Sequence, residues 1–134
     1  MEHARLWILL AALLGGTGVA LGAFGAHGLP KYFASQNLSG EELAKRAANW
    51  ETAARYHMYH ALALLAVAWL ATTPARVPAN IAGWMFVAGI AIFSGCLYAL
   101  VLSGVKVLGA IVPLGGLSLI AGWVALLIGG LRLR

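Results

Sequence analysis

Between Leu6 and Ala26 the chain carries no charged side chain and is apolar at most positions. Coiled as an α-helix, such a run is about 30 Å long, which matches the hydrocarbon thickness of a bilayer. Uncharged apolar stretches recur at 81–102 and 108–131, and a shorter one runs from Ala61 to Thr72. Hydrophobic residues make up 62% of the 134 and charged residues 10%, with a mean hydropathy of +0.88. A soluble domain carries about a quarter charged residues, so the expected solvent is lipid.

The formal charge of +5 does not make this a nucleic-acid binder. The basic residues stand singly at the ends of apolar segments, as interfacial anchors do, and form no phosphate-binding patch. The one cysteine, Cys96, lies in an apolar run, so it offers no intrachain disulfide and no thiolate metal site, and reads as a small core residue. A single membrane domain over residues 1–134 follows. The N-terminal segment has the form of a signal peptide with a tolerable cleavage site at Ala20-Leu21-Gly22, but its length favours a retained first span.

Taken in order, span one covers about 6–27, with Gly28 suited to a left-handed helix end and Pro30 as its stop. Lys31 to Leu38 reads as a polar connection with Tyr32 and Phe33 at the interface. Ser39-Gly-Glu-Glu42 then has the form of a capping box, which predicts a helix from Gly40. Glu41 with Lys45, Glu42 with Arg46, and Glu51 with Arg55 are i,i+4 pairs in the favourable order; the first two pairs read as a solvated face. Leu43, Ala47, Trp50, Ala54, His57, Ala61 and Leu64 form one stripe, so an amphipathic segment over about 40–55 continues into span two at 56–72.

Thr73 to Asn80 reads as a turn, followed by span three over 81–102, a turn at Ser103-Gly104 and Lys106, and span four over 108–131. Trp84 and Tyr98 read as interfacial aromatics of span three, Pro113 predicts a kink or restart in span four, and Arg132 with Arg134 a cationic anchor. Small residues bring helices together in lipid, where the hydrophobic drive between them is weak. Gly15, Gly18, Gly22, Gly25, Gly95, Gly115 and Gly116 are the expected packing surface. The fold class is therefore all-α, an integral membrane four-helix bundle with an amphipathic extension on helix two. Four spans put both termini on one side, and the near-equal basic counts on the two faces leave the orientation open.

The residues with chemical potential gather near the start of span two. His57 and His60 lie three apart with Tyr56, Tyr59, Glu51 and Arg55 around them, and His27 leaves span one at a depth that a returning helix could match. Three readings stand for this cluster. It is a structural set of neutral imidazoles bonded to tyrosines or carbonyls, a proton or ion relay, or a metal or haem site for which no clear fourth ligand exists. No catalytic constellation accompanies it. Gly22 to Gly28 lacks the strand that a phosphate loop needs, and Ser94, Ser103 and Ser118 are expected to bond carbonyls four residues back. Neither an enzyme nor a cofactor is expected. The leading function is a structural or lipid- or partner-binding membrane protein, with Arg55 placed to meet a lipid phosphate. The alternative is an oligomeric proton-coupled carrier or channel component. The partners are the lipid bilayer and a second copy or another membrane protein.

Gly25-Ala-His-Gly28, the run from Tyr56 to Leu65, Phe93-Ser-Gly95 with Leu97-Tyr98, and Pro113-Leu-Gly-Gly116 with Gly122-Trp123 together resemble the domain of unknown function 423 family. These are YgdD-like and transmembrane protein 256-like small membrane proteins. The resemblance implies a four-helix integral protein of bacterial inner membranes or organelles and supplies no activity. It also implies that His27, His57 and His60 belong to one shared site, and it places Cys96 where the family often has serine.

Overall fold

The computed structural model describes residues 2–133, and every regular element among them is helical. Arg134, half of the expected cationic anchor, lies outside them. Four long helices follow one another: α1 Glu2–Phe33, α2 Gly40–Leu70, α3 Arg76–Ser103 and α4 Val107–Gly130. Of these, α1, α3 and α4 are long and apolar enough to cross a membrane. Helix α2 has the length, at 31 residues, but its first half carries the charges from Glu41 to Arg55.

Helix α2 begins where the capping box places it. Ser39 is extended (φ −66°, ψ 156°) and its Oγ accepts from the Glu42 amide at 3.2 Å, satisfying one of the donors that a helix start leaves bare. Two of the three expected ion pairs form, Glu42 with Arg46 at 2.9 Å and Glu51 with Arg55 at 3.3 Å. Among the described residues Glu41 and Lys45 do not pair. The buried stripe begins at Trp50 and continues through Ala53, His57, Ala61, Leu64 and Val67. Ahead of it Leu43 is half-buried and Ala47 exposed, and Ala53, not Ala54, is fully covered.

The prolines set different boundaries from those the sequence suggests. Gly28 is right-handed (φ −89°), and residues Phe24–Gly28 form a widened π turn in which the Leu29 amide reaches back to the Phe24 carbonyl. That extra residue per turn makes room for Pro30, so α1 runs on to Phe33 and the connection shrinks to 34–39. Helix α3 starts at Arg76 with Pro78 in its first turn, where amides have no helical partner to lose, and the preceding turn contracts to 71–75. Pro113 sits inside α4 without a restart. A second π turn, Ile90–Ser94, lies within α3. Helix α3 stops at Ser103, where the turn is expected, and there Gly104 is left-handed (φ 73°) with its amide returning to the Leu100 carbonyl at 2.8 Å.

The helices alternate in direction. Trp7 donates to Asn80 at 2.8 Å, and Leu70 and Pro78 close over Gly129, so the start of α1, the end of α2, the start of α3 and the end of α4 share one end of the bundle. Helix α1 packs along α2 and α4 along α3, and the two pairs join where α2 meets α3. At the terminal end the core holds Trp7, Leu64, Val67, Phe86 and Leu119; at the other end Leu29, Phe33, Trp50 and Val101 form a second cluster.

Glycines provide the close contacts, though not all of the expected ones. Gly18 faces His57 and Met58, Gly25 the Trp50 ring, and Gly115 the backbone of Phe93 in the π turn of α3, with Gly116 beside the same residue. Gly15 and Gly22 have no neighbour within 4 Å, and Gly95 touches only its own turn. Gly83 under Trp7, Gly89 under Leu119, Gly122 under Phe86 and Gly129 under Leu70 do that work instead. In each case a large side chain of one helix lies over a position that lacks a Cβ on another, which depends on how the helices are rotated. Gly115→Ala is therefore expected to destabilise the bundle by about 1–3 kcal/mol, because backbone cannot give way as a side chain can. Gly22→Ala should leave stability unchanged or raise it by up to about 1 kcal/mol. Unfolding of both variants in detergent gives the ranking, and the reverse order would contradict this packing.

Candidate functional site

Between the two apolar clusters lies a layer of polar side chains. His57, His60 and Ser94 are 5%, 4% and 0% exposed. In such surroundings each polar group needs a protein partner, because an unpaired one costs several kcal/mol in hydrocarbon.

His60 has one at each ring nitrogen. Trp123 Nε1 of α4 lies 3.1 Å from His60 Nε2, and His60 Nδ1 lies 2.7 Å from the Tyr56 carbonyl. An indole N–H only donates, so Nε2 must accept and Nδ1 must carry the proton that it gives to the carbonyl. The geometry selects a neutral imidazole in one tautomer, wedged beside Phe86 with ring centroids 5.3 Å apart. His57 is held more loosely. Its Nε2 is 3.5 Å from Thr17 Oγ1 on α1 and its Nδ1 is 3.5 Å from the Tyr98 hydroxyl on α3. Thr17 in turn donates within α1 to the Leu13 and Leu14 carbonyls at 3.0 Å.

Two of the serines differ from expectation. Ser103 bonds the Ala99 carbonyl four residues back, but Ser94 donates across to Ala53 of α2 at 2.9 Å and Ser118 across to Met85 of α3 at 2.8 Å. Trp50 likewise donates to the Leu21 carbonyl of α1 at 2.9 Å. The polar layer thus ties α2 to all three other helices.

The residues grouped from the sequence separate. His57 and His60 point inward, and Tyr56 covers their edge, stacked 6.0 Å from the His60 ring and 4.8 Å from Phe93, although it is itself exposed. Tyr59 is exposed, and so is the Glu51–Arg55 pair. His27 does not join them. It is exposed on the π turn of α1. With Gly18 against His57 and Gly25 against Trp50, His27 sits level with residues near 48, roughly 13 Å along the helix from His57. Among the described residues no three His, Cys, Asp or Glu side chains are grouped to hold a metal ion.

A second polar arrangement, at the end away from the termini, was not foreseen. Arg46 is 14% exposed at its side chain. Besides its pair with Glu42, it donates from a terminal nitrogen to the Val101 carbonyl at 3.0 Å and lies over Phe33, 5.7 Å from the ring centre. Tyr32 donates to the neighbouring Leu102 carbonyl at 3.0 Å. A cation and a hydroxyl from two helices therefore meet carbonyls at the end of a third, where a helix carries partial negative charge. The Arg46 guanidinium holds the Glu42 carboxyl below the usual carboxylate range.

Residues 21–116 match the family described as protein of unknown function DUF423. The chain belongs to this family. Its relatives include a UPF0382 membrane protein of Staphylococcus aureus, 45% identical over 92% of this chain and 93% of the relative. Another is the UPF0382 membrane protein YwdK of Bacillus subtilis, 40% identical over 96% of this chain and 98% of the relative. No solved structure matches. As a DUF423 protein the chain is a membrane protein, in agreement with its three apolar helices. The family match covers His57, His60, Ser94 and Arg46, and ends before Trp123.

Arg46→Met should destabilise the DUF423 bundle by about 1–3 kcal/mol by leaving the Val101 carbonyl without its donor. The ion pair also has a pH signature. A carboxyl with a lowered folded pKa contributes fully above its unfolded value, and the contribution is lost as pH falls through the folded one. Glu42→Gln is expected to flatten the loss of thermal stability on acidification below about pH 5. An unchanged slope would show that the pair adds nothing.

Proposed function

We propose that this protein is a non-enzymatic membrane scaffold that crosses the bacterial inner membrane four times. In this reading the fourth crossing is the second half of α2, and the buried His, Tyr and Trp layer fixes the helices against one another. The observation that carries the reading is the Trp123–His60–Tyr56 chain, in which both imidazole nitrogens are engaged by protein groups. A proton carrier at that position would need a nitrogen free to exchange. The burial of His60, packed beside Phe86 and bonded to Trp123, supports a structural role instead. Its neighbours Ser94 and Ser118 join helices in the same way, through hydroxyls on backbone carbonyls.

His57 supports a second reading. Its two 3.5 Å contacts form a row from Tyr98 on α3 to Thr17 on α1, which is the arrangement that a proton relay would use. One set of variants separates the two. On the scaffold reading, Trp123→Phe lowers stability in detergent by about 0.5–2 kcal/mol. His57→Ala and His60→Ala then leave the proton flux of reconstituted liposomes at the level of the unaltered protein. Flux that exceeds that of empty vesicles and disappears in His57→Ala would establish the relay.

A further inference from the structure

At the end away from the termini, a cleft of about 420 Å³ opens between α2, the end of α3 and the start of α4, within the range of small-ligand pockets. Its polar rim is formed by Glu42, Lys45, Arg46, Asn49 and Lys106. Its wall turns apolar inward, at Leu97, Leu100 and Val112. We propose that this cleft binds the phosphate of an anionic phospholipid, with Lys45 and Lys106 as the charges that hold it and the apolar wall receiving the upper part of an acyl chain.

Three cations and one carboxylate line the rim, but they are not equivalent. Glu42 and Arg46 are committed to each other, and Arg46 also to the Val101 carbonyl. Among the described residues the side chains of Lys45, Lys106 and Asn49 make no hydrogen bond or ion pair, which leaves two ammonium groups and an amide to meet a ligand. Lys45 stands on α2 and Lys106 in the turn that leads into α4, and both line the same cleft. Convergent positive charge at the mouth of an apolar wall fits a molecule with an anionic head and a hydrocarbon tail better than a free ion. The position fits as well: the cleft lies at the Gly104 turn, where α3 and α4, both long and apolar enough to cross, emerge from the bundle.

The test is native mass spectrometry of the full chain released from nanodiscs of mixed phosphatidylglycerol and phosphatidylcholine. Retention of phosphatidylglycerol should exceed that of phosphatidylcholine by about tenfold. Lys45→Gln with Lys106→Gln should bring the ratio close to one, and Lys45→Arg with Lys106→Arg should preserve it. Arg76→Gln with Arg132→Gln, which removes the same charge from the opposite end, should also preserve it. Helix content and melting in detergent establish that each variant is folded. The proposal is overturned if the neutralised cleft keeps its selectivity or if the opposite-end variant loses it equally. It is also overturned if millimolar inorganic phosphate displaces the lipid, which would mark a site for a soluble anion.

Discussion

In hydrocarbon a polar group can bond only to protein, and this bundle meets that condition between helices. His60 stands at the centre of the arrangement because both of its ring nitrogens meet protein partners at short range, whereas the two contacts of His57 are 3.5 Å long. Trp123 supplies the donor and the Tyr56 carbonyl the acceptor, and those two bonds fix the ring, its tautomer and the rotation of α4 against α2. Ser94, Ser118 and Trp50 each add one bond from a side chain to a carbonyl of another helix. Individually such bonds contribute about 1 kcal/mol or less in membranes. Together they set the register that apolar packing in lipid leaves weakly determined.

Close approach is the counterpart of those bonds. A hydroxyl reaches a backbone carbonyl on another helix only when the two backbones come near each other, and the glycines permit this. Gly115 lies against the backbone of Phe93, next to Ser94. The π turn there widens α3 at the level where Ser94 crosses to α2. The other π turn, in α1, carries the chain past Pro30, so that Phe33 is buried in one cluster with Trp50 and Val101 and Tyr32 can reach the end of α3. Irregular helix geometry therefore appears where it positions a contact, as π turns commonly do.

Features set by neighbours in sequence were legible in advance. The Ser39 cap, the Glu42–Arg46 and Glu51–Arg55 pairs, the inward side of α2 at Trp50, His57 and Ala61, and the end of α3 at Ser103-Gly104 all follow from spacing of a few residues. Features set by the rotation and register of two helices were not. His27 was grouped with His57 because both stand near the ends of apolar segments, but α1 continues past the proline and carries His27 outward and away. Arg46 read as solvated because its nearest partner, Glu42, is local, while the Val101 carbonyl that buries it lies on another helix. Ser94, Ser118 and Trp123 gave no local signal, since each finds its partner more than thirty positions away.

The helix register turns on one imidazole, and nitrogen-15 NMR of labelled histidines in the reconstituted protein observes it directly. The predicted spectrum at neutral pH shows His60 with a protonated Nδ1 and an unprotonated Nε2, coupled across a hydrogen bond to the Trp123 indole N–H. A His60 protonated at Nε2 or at both nitrogens, or a Trp123 N–H free of any bond, would contradict it.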